Sequence, residues 1–241
     1  MKPKRRRWLF RLCIAGTVLL LAIVLFCVLT SSDANKTVWY TESEFAQALK
    51  PGLITKVKNV VLNWKWTQRF QKPGPQISFQ NSLFTLLPGM STRMVLGTPV
   101  STNLNGAHLW VLSPRDRDLL ISRIKSSDGI EVVAGAAVTT MDQMAFGVGM
   151  PVGEHAKANL LLDCFPEVRS DNVKLTFRAV VAGTNTNFIC ACRVMIPNGG
   201  AAVIGCDNAN DTNSFSSFII ISPYLINPDG TRFINNPKSL K

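Results

Sequence analysis

The residues of this chain best suited to proton transfer, nucleophilic attack or metal binding are His108, His155, Glu154 and six cysteines. Their spacing does not match any such chemistry. No H-E-x-x-H, G-x-S-x-G or glycine-rich phosphate loop occurs. Cys13 and Cys27 fall in an apolar stretch and read as filler. Cys164, Cys190, Cys192 and Cys206 include no C-x-x-C, so neither zinc nor an iron–sulfur cluster is expected. "GVGMPVGEH" reads as a loop carrying Glu154 and His155 as solvated polar residues. The expectation is a chain with no catalytic residue, no cofactor, no metal site and no small-molecule substrate.

A chain of 241 residues, 46% hydrophobic and 17% charged, is too apolar for disorder and long enough for one good-sized domain or two small ones. Net charge is +11, but Lys2, Lys4, Arg5, Arg6, Arg7 and Arg11 crowd the first residues and the remainder is only mildly basic. With no binding motif or Arg/aromatic pattern, a nucleic-acid partner is not expected. Leu12–Ser32 follows without a charge. A helix there matches the roughly 30 Å of a bilayer's hydrocarbon layer, and the basic flank orients it with the N-terminus in the cytoplasm. A cleaved signal peptide competes, because Ser32 and Ala34 fit a small-x-small site. The apolar run exceeds the roughly 7–15 residues of such peptides, which favours an uncleaved anchor. The remainder is then extracytoplasmic, where disulfides are permitted.

Past the anchor, "TESEFAQALK" predicts a short helix with Thr41 or Ser43 as cap and Phe45, Ala46 and Leu49 on one face. In "VKNVVLNWKWTQRF" the spacing of Val57 and Val61 suits a helix, while Trp64 and Trp66 alternate like a strand. The basic residues there suit either lipid headgroups or water. "SFQNSLFTLLPGMSTRMVLGTPV" reads as strand broken by turns. "SPRDRDLLISRIK" predicts the clearest helix, near 113–126, with Ser113 as cap, Pro114 at its first position and Leu119, Leu120 and Ile124 as the buried stripe.

Everything after that helix looks like strand. "VKLTFRAVV" and "FICACRVMI" alternate, turning Leu175, Phe177, Cys190, Cys192, Val194 and Ile196 inward. Asn198-Gly199 is a strong hairpin signal, and "FIIIS" is a fully buried strand. Residues 173–222 are therefore expected to form one antiparallel sheet, with Ile220 in its inward row. A two-residue turn at Asn198-Gly199 sets Ala191 opposite Cys206 and leaves all thiols free. A three-residue turn including Gly200 sets Cys192 opposite Cys206 and permits a bridge. Asn-Gly favours the first.

The order of these pieces resembles the C-terminal domain of secretins, the ring-forming outer-membrane channels. "AAVTTMDQMAFGVG" is similar to the family's V-T-T-L-D-G-Q segment, and "LLLDCFPEVRSDNVKLTF" to its L-V-P-x-V-x-D strand. "CRVMIPNGGAAVIGC" is similar to V-x-V-P-D-G-x-T-V-V-I-G-G, and "SFIIISPYLINPDG" to the final strand. Between the last two, Asp207–Ser217 lacks the repeated Pro-Leu-Gly turns of the family's gate, so a gated channel is not implied.

The residues and the resemblance together lead to an α+β, mostly antiparallel β protein in five parts. These are a basic cytoplasmic tail (1–11), a transmembrane helix or signal sequence (12–32), a membrane-proximal α/β region (33–112), a secretin-like β domain (113–230) and a C-terminal tail (231–241). The anchor and its basic flank imply a single-pass envelope protein, periplasmic beyond the anchor, and the resemblance implies a non-catalytic structural or assembly role linked to secretion or pilus machinery. Its partners would be the membrane, other envelope or secretion proteins, and further copies of itself through sheet edges. An anchored partner- or ligand-binding module and an envelope enzyme using His108, His155, Glu154 or the cysteines are the alternatives.

Overall fold

The strand-rich half of the sequence does not close into one sheet; it divides between two. A computed structural model describes residues 36–49, 75–87, 90–103, 106–152, 158–182, 187–206, 217–227 and 229–232. The strands in chain order are β1 (Val38–Trp39), β2 (Gln76–Leu86), β3 (Ser101–Thr102), β4 (Ala107–Leu112), β5 (Ile130–Met141), β6 (Phe146–Val152), β7 (Ala158–Arg169), β8 (Asn172–Ala182), β9 (Asn187–Pro197), β10 (Ala201–Cys206) and β11 (Ser217–Ile226). The helices are α1 (Glu42–Ala48), α2 (Thr92–Leu96) and α3 (Pro114–Lys125). One sheet runs β1-β9-β8-β7-β6 and the other β3-β4-β10-β11-β2-β5, with every pairing antiparallel. The protein is thus β-rich α+β. The expected anchor, Leu12–Ser32, and the tryptophans Trp64 and Trp66 lie outside the described residues. Among the described ones no helix is long and apolar enough to cross a membrane.

Alternation places the cores. Leu175, Phe177, Cys192 and Val194 of the first sheet meet Phe79, Leu109, Ile204 and Ile221 of the second in one buried cluster. On the other face of the second sheet, Trp110, Val203, Phe218 and Ile220 pack against Leu120 and Ile124 of α3. The order is sheet, sheet, helix, and the second sheet is buried on both faces. That is why "FIII" has no polar member: Ile219 and Ile221 face the first sheet while Phe218 and Ile220 face the helix.

Several expectations change. The chain turns at Asn198-Gly199, but β9 stays with β8 and β10 crosses to pair with β4 and β11. Residues 173–222 are therefore two sheets, and Ile220 faces the helix side rather than the row of Phe177. The turn's polar groups serve other segments. Asn198 N–H donates to Asp171 O (3.0 Å), Gly199 N–H to Pro223 O (2.9 Å), and Asn198 Oδ1 accepts from Leu225 N–H (2.9 Å). Strands from before and after residue 112 share the second sheet. β2 lies between β11 and β5, β4 beside β10, and Thr37–Lys241 forms one unit.

Both predicted helices are present, set by their caps. Thr41 accepts from Glu44 N–H while the Glu44 carboxylate takes Thr41 N–H (2.8 Å); Ser113 Oγ accepts from Asp116 N–H (3.2 Å). Their faces differ from expectation: Ala46 is exposed beside buried Phe45. In α3, Leu119 is 50% exposed and Arg117 takes its place in a stripe with Leu120 and Ile124. Residues 147–152 of the expected loop "GVGMPVGEH" belong to β6, and Thr92–Leu96 within the expected strand segment is a helical turn capped by Ser91.

Asn81 stands in the inter-sheet row of β2 between Phe79 and Leu83, 1% exposed. Neither its amide nitrogen nor its oxygen has a hydrogen-bond partner among the described residues. A buried polar group left unpaired costs about 1–3 kcal/mol, so the near-isosteric Asn81→Leu is expected to raise the unfolding midpoint. A lower midpoint in urea would show that the amide is bonded.

Candidate functional site

At one end of the sandwich, the β7–β8 turn, the β9–β10 turn, the end of β11 and the start of α3 converge on a groove of about 430 Å³. Tyr224 forms its centre. The Arg117 guanidinium lies 5.1 Å from the Tyr224 ring centroid and donates to its hydroxyl, and the Arg232 guanidinium lies 4.8 Å from the same ring. Asp118 accepts from Arg117 Nε (3.0 Å), balancing a charge that α3 holds nearly buried. Asp171, Asn172 and Asn198 complete the polar lining. Two cations on one aromatic ring, with amides nearby, make a surface for recognition by stacking and hydrogen bonding.

A second groove of about 310 Å³ lies against α1 and is lined by Tyr40, Glu42, Asn103, Arg178, Cys190 and Ala191. Arg178 donates to Asp163 through Nε (3.0 Å) and Nη2 (2.6 Å) and to Glu42 (3.0 Å). The hydrogen bond it donates to Asp163 raises the guanidinium's pKa further, while burial raises that of the Tyr40 phenol. These charges are satisfied by one another.

The residues singled out for chemistry are not brought together. His108 is buried on β4, its Nδ1 2.8 Å from Thr102 Oγ1 and its ring edge-on to Trp110. Glu154 and His155 lie outside the described residues. Cys164, Cys190 and Cys192 are buried, and Cys164 and Cys192 are free thiols. Cys164 and Cys192 sit on either side of Phe177 in neighbouring strands, and burial pushes both thiols well up. They are held protonated, the inert form of the group. The register arguments for Cys192 and Cys206 do not apply, because β10 lies in the other sheet with Cys206 opposite Ser217 and Ala107. Among the described residues no group of three or more His, Cys, Asp or Glu is placed to hold a metal.

Sequence reading missed Arg117, Tyr224 and Arg232. The available signal was Arg117 spaced three and seven residues before Leu120 and Ile124, on the buried stripe of an amphipathic helix. No protein family, no curated protein and no solved structure matches the chain.

Proposed function

We propose that this is a single-pass, non-catalytic envelope protein, cytoplasmic at its N-terminus, whose extracytoplasmic β domain has a structural or assembly role linked to secretion or pilus machinery. The observation that carries the reading is the side of the sandwich where β5 and β6 end the two sheets. Two uncharged or nearly uncharged edge strands lie there, with Val132, Met141 and Met144 more than half exposed beside them. Apolar side chains around open strand edges suit a chain that docks with others. The secretin resemblance supports the same reading. Its segments fold as β5 to β11, and the pattern's glycine position after Asp142 is held by Gln143 at φ 62°, the backbone region glycine favours. A second reading, an anchored binding module, is favoured by the Arg117–Tyr224–Arg232 groove.

Two measurements test the first reading. Protein extracted from the membrane is expected to retain Met1, and a terminus at Asn35 would remove the anchor. A photoreactive side chain replacing exposed Thr139 on β5, in the full chain in its native membrane, is expected to capture a neighbour. The assembly role fails if no adduct forms.

A further inference from the structure

β5 pairs with β2 along its whole length, and no strand among the described residues lies on its other side. Every second residue of an edge strand turns its N–H and C=O outward, and proteins blunt such edges with lysine, proline or a bulge. β5 has one bulge, where Val133 is the extra residue opposite Leu83 and Phe84. Beyond it Ala134–Met141 is regular and carries neither charge nor proline. β6 ends the other sheet on the same side, because the turn 142–145 joins the two strands directly. That turn is pinned to β7: Val168 N–H donates to Asp142 Oδ1 (2.7 Å) and Gln143 N–H to Pro166 O (2.9 Å). The side that the described residues leave open is therefore a fixed, two-layer edge.

We infer that this edge docks a second copy of the chain, β5 antiparallel to β5 about a two-fold axis, extending the second sheet across both molecules. The inference rests on the assembly reading and names its partner. A lone peptide strand continues one layer and leaves the other open, whereas a second sandwich presents two layers at the same spacing. The contact is uncharged from Val132 to Met141, so two basic chains do not repel where they meet. β6, whose Pro151 lacks a donor, lies alongside its copy and excludes water.

Symmetry restricts the register. A two-fold axis perpendicular to the sheet keeps each side chain on its own face, so odd-numbered residues meet odd ones and even meet even. The regular run overlaps its copy most fully with the axis at Ala137 or at Val138. The first sets Ala137 against itself, and the second sets Ala137 against Thr139. Both residues are exposed on the outer face.

The double variant Ala137→Cys, Thr139→Cys therefore bridges in either register, while the two new thiols on one strand stand too far apart to bridge each other. In the full-length protein in detergent, mild oxidation is expected to give a disulfide dimer that the parent chain does not give. Ala137→Lys sets like charges at the axis. It is expected to weaken self-association at least about tenfold, more so at low salt, with an unchanged unfolding midpoint. Absence of the disulfide dimer together with parent-like sizing of Ala137→Lys overturns the inference. If the Thr139 photoadduct then contains a different protein, self-docking is wrong and the assembly role stands; if there is no adduct, both fall.

Discussion

Phe177→Asp is expected to destabilise the protein by several kcal/mol and, at neutral pH, to leave much of it unfolded. Phe177 is 0% exposed in the middle of β8, with Cys164 opposite it on β7 and Cys192 opposite it on β9. Removing the ring costs about 3–5 kcal/mol in a core of this kind. A carboxylate there sits among the apolar side chains and thiols of the inter-sheet cluster, out of contact with water. The new acid therefore folds protonated, its pKa raised above the unfolded value near 3.9. The sign follows from linkage. A group with a raised folded pKa adds no penalty below the unfolded value and an increasing one as pH rises above it. The deficit relative to the parent should thus be smaller at about pH 4 than at pH 7. Urea unfolding at the two pH values checks both claims. A variant with the parent midpoint at pH 7 places Phe177 outside the core.

The second large effect belongs to the turn that carries the chain from one sheet to the other. Gly199 and Gly200 are adjacent and are needed for different reasons. Gly199 has φ 74°, and a Cβ there would meet nothing closer than 3.9 Å, so Gly199→Ala costs the left-handed strain of about 1–2 kcal/mol. At Gly200 a Cβ would stand 2.4 Å from the Leu112 carbonyl oxygen and 3.1 Å from that of Pro197. Neither atom can swing aside. Leu112 faces Ala201 in the β4–β10 pairing, and the Pro197 carbonyl accepts from Gly200 N–H at 2.8 Å. Gly200→Ala must push β10 from β4 or open the turn, at about 3 kcal/mol or more. Chemical denaturation of the two single variants is expected to rank Gly200→Ala well below Gly199→Ala. The reverse order would mean that the crossing does not bring Gly200 against β4.

These two positions separate what was legible in the sequence from what was not. The helices at Thr41 and Ser113 could be read because a cap satisfies backbone donors within its own first turn, and no distant residue takes part. The inward rows of β8 and β9 could be read because strand alternation depends on the backbone pleat alone. By itself the sequence determined a capped helix near 113–126, a β-rich C-terminal half, the burial of Phe177 and Cys192, and a reversal at Asn198-Gly199. What it left open was the partner of each strand. A turn signal reports that the chain reverses, but β10 gains burial on both its faces between β11 and β4, and β4 lies far from the turn in sequence. The same holds for the groove, where Arg117 and Tyr224 stand 107 residues apart and meet because α3 covers the sheet that β11 enters. Local periodicity and capping are short-range forces and show in sequence. Sheet membership, the place of β5 at the end of its sheet and the Arg–Tyr–Arg contact follow from which buried surfaces cover one another, and that was settled by the tertiary structure.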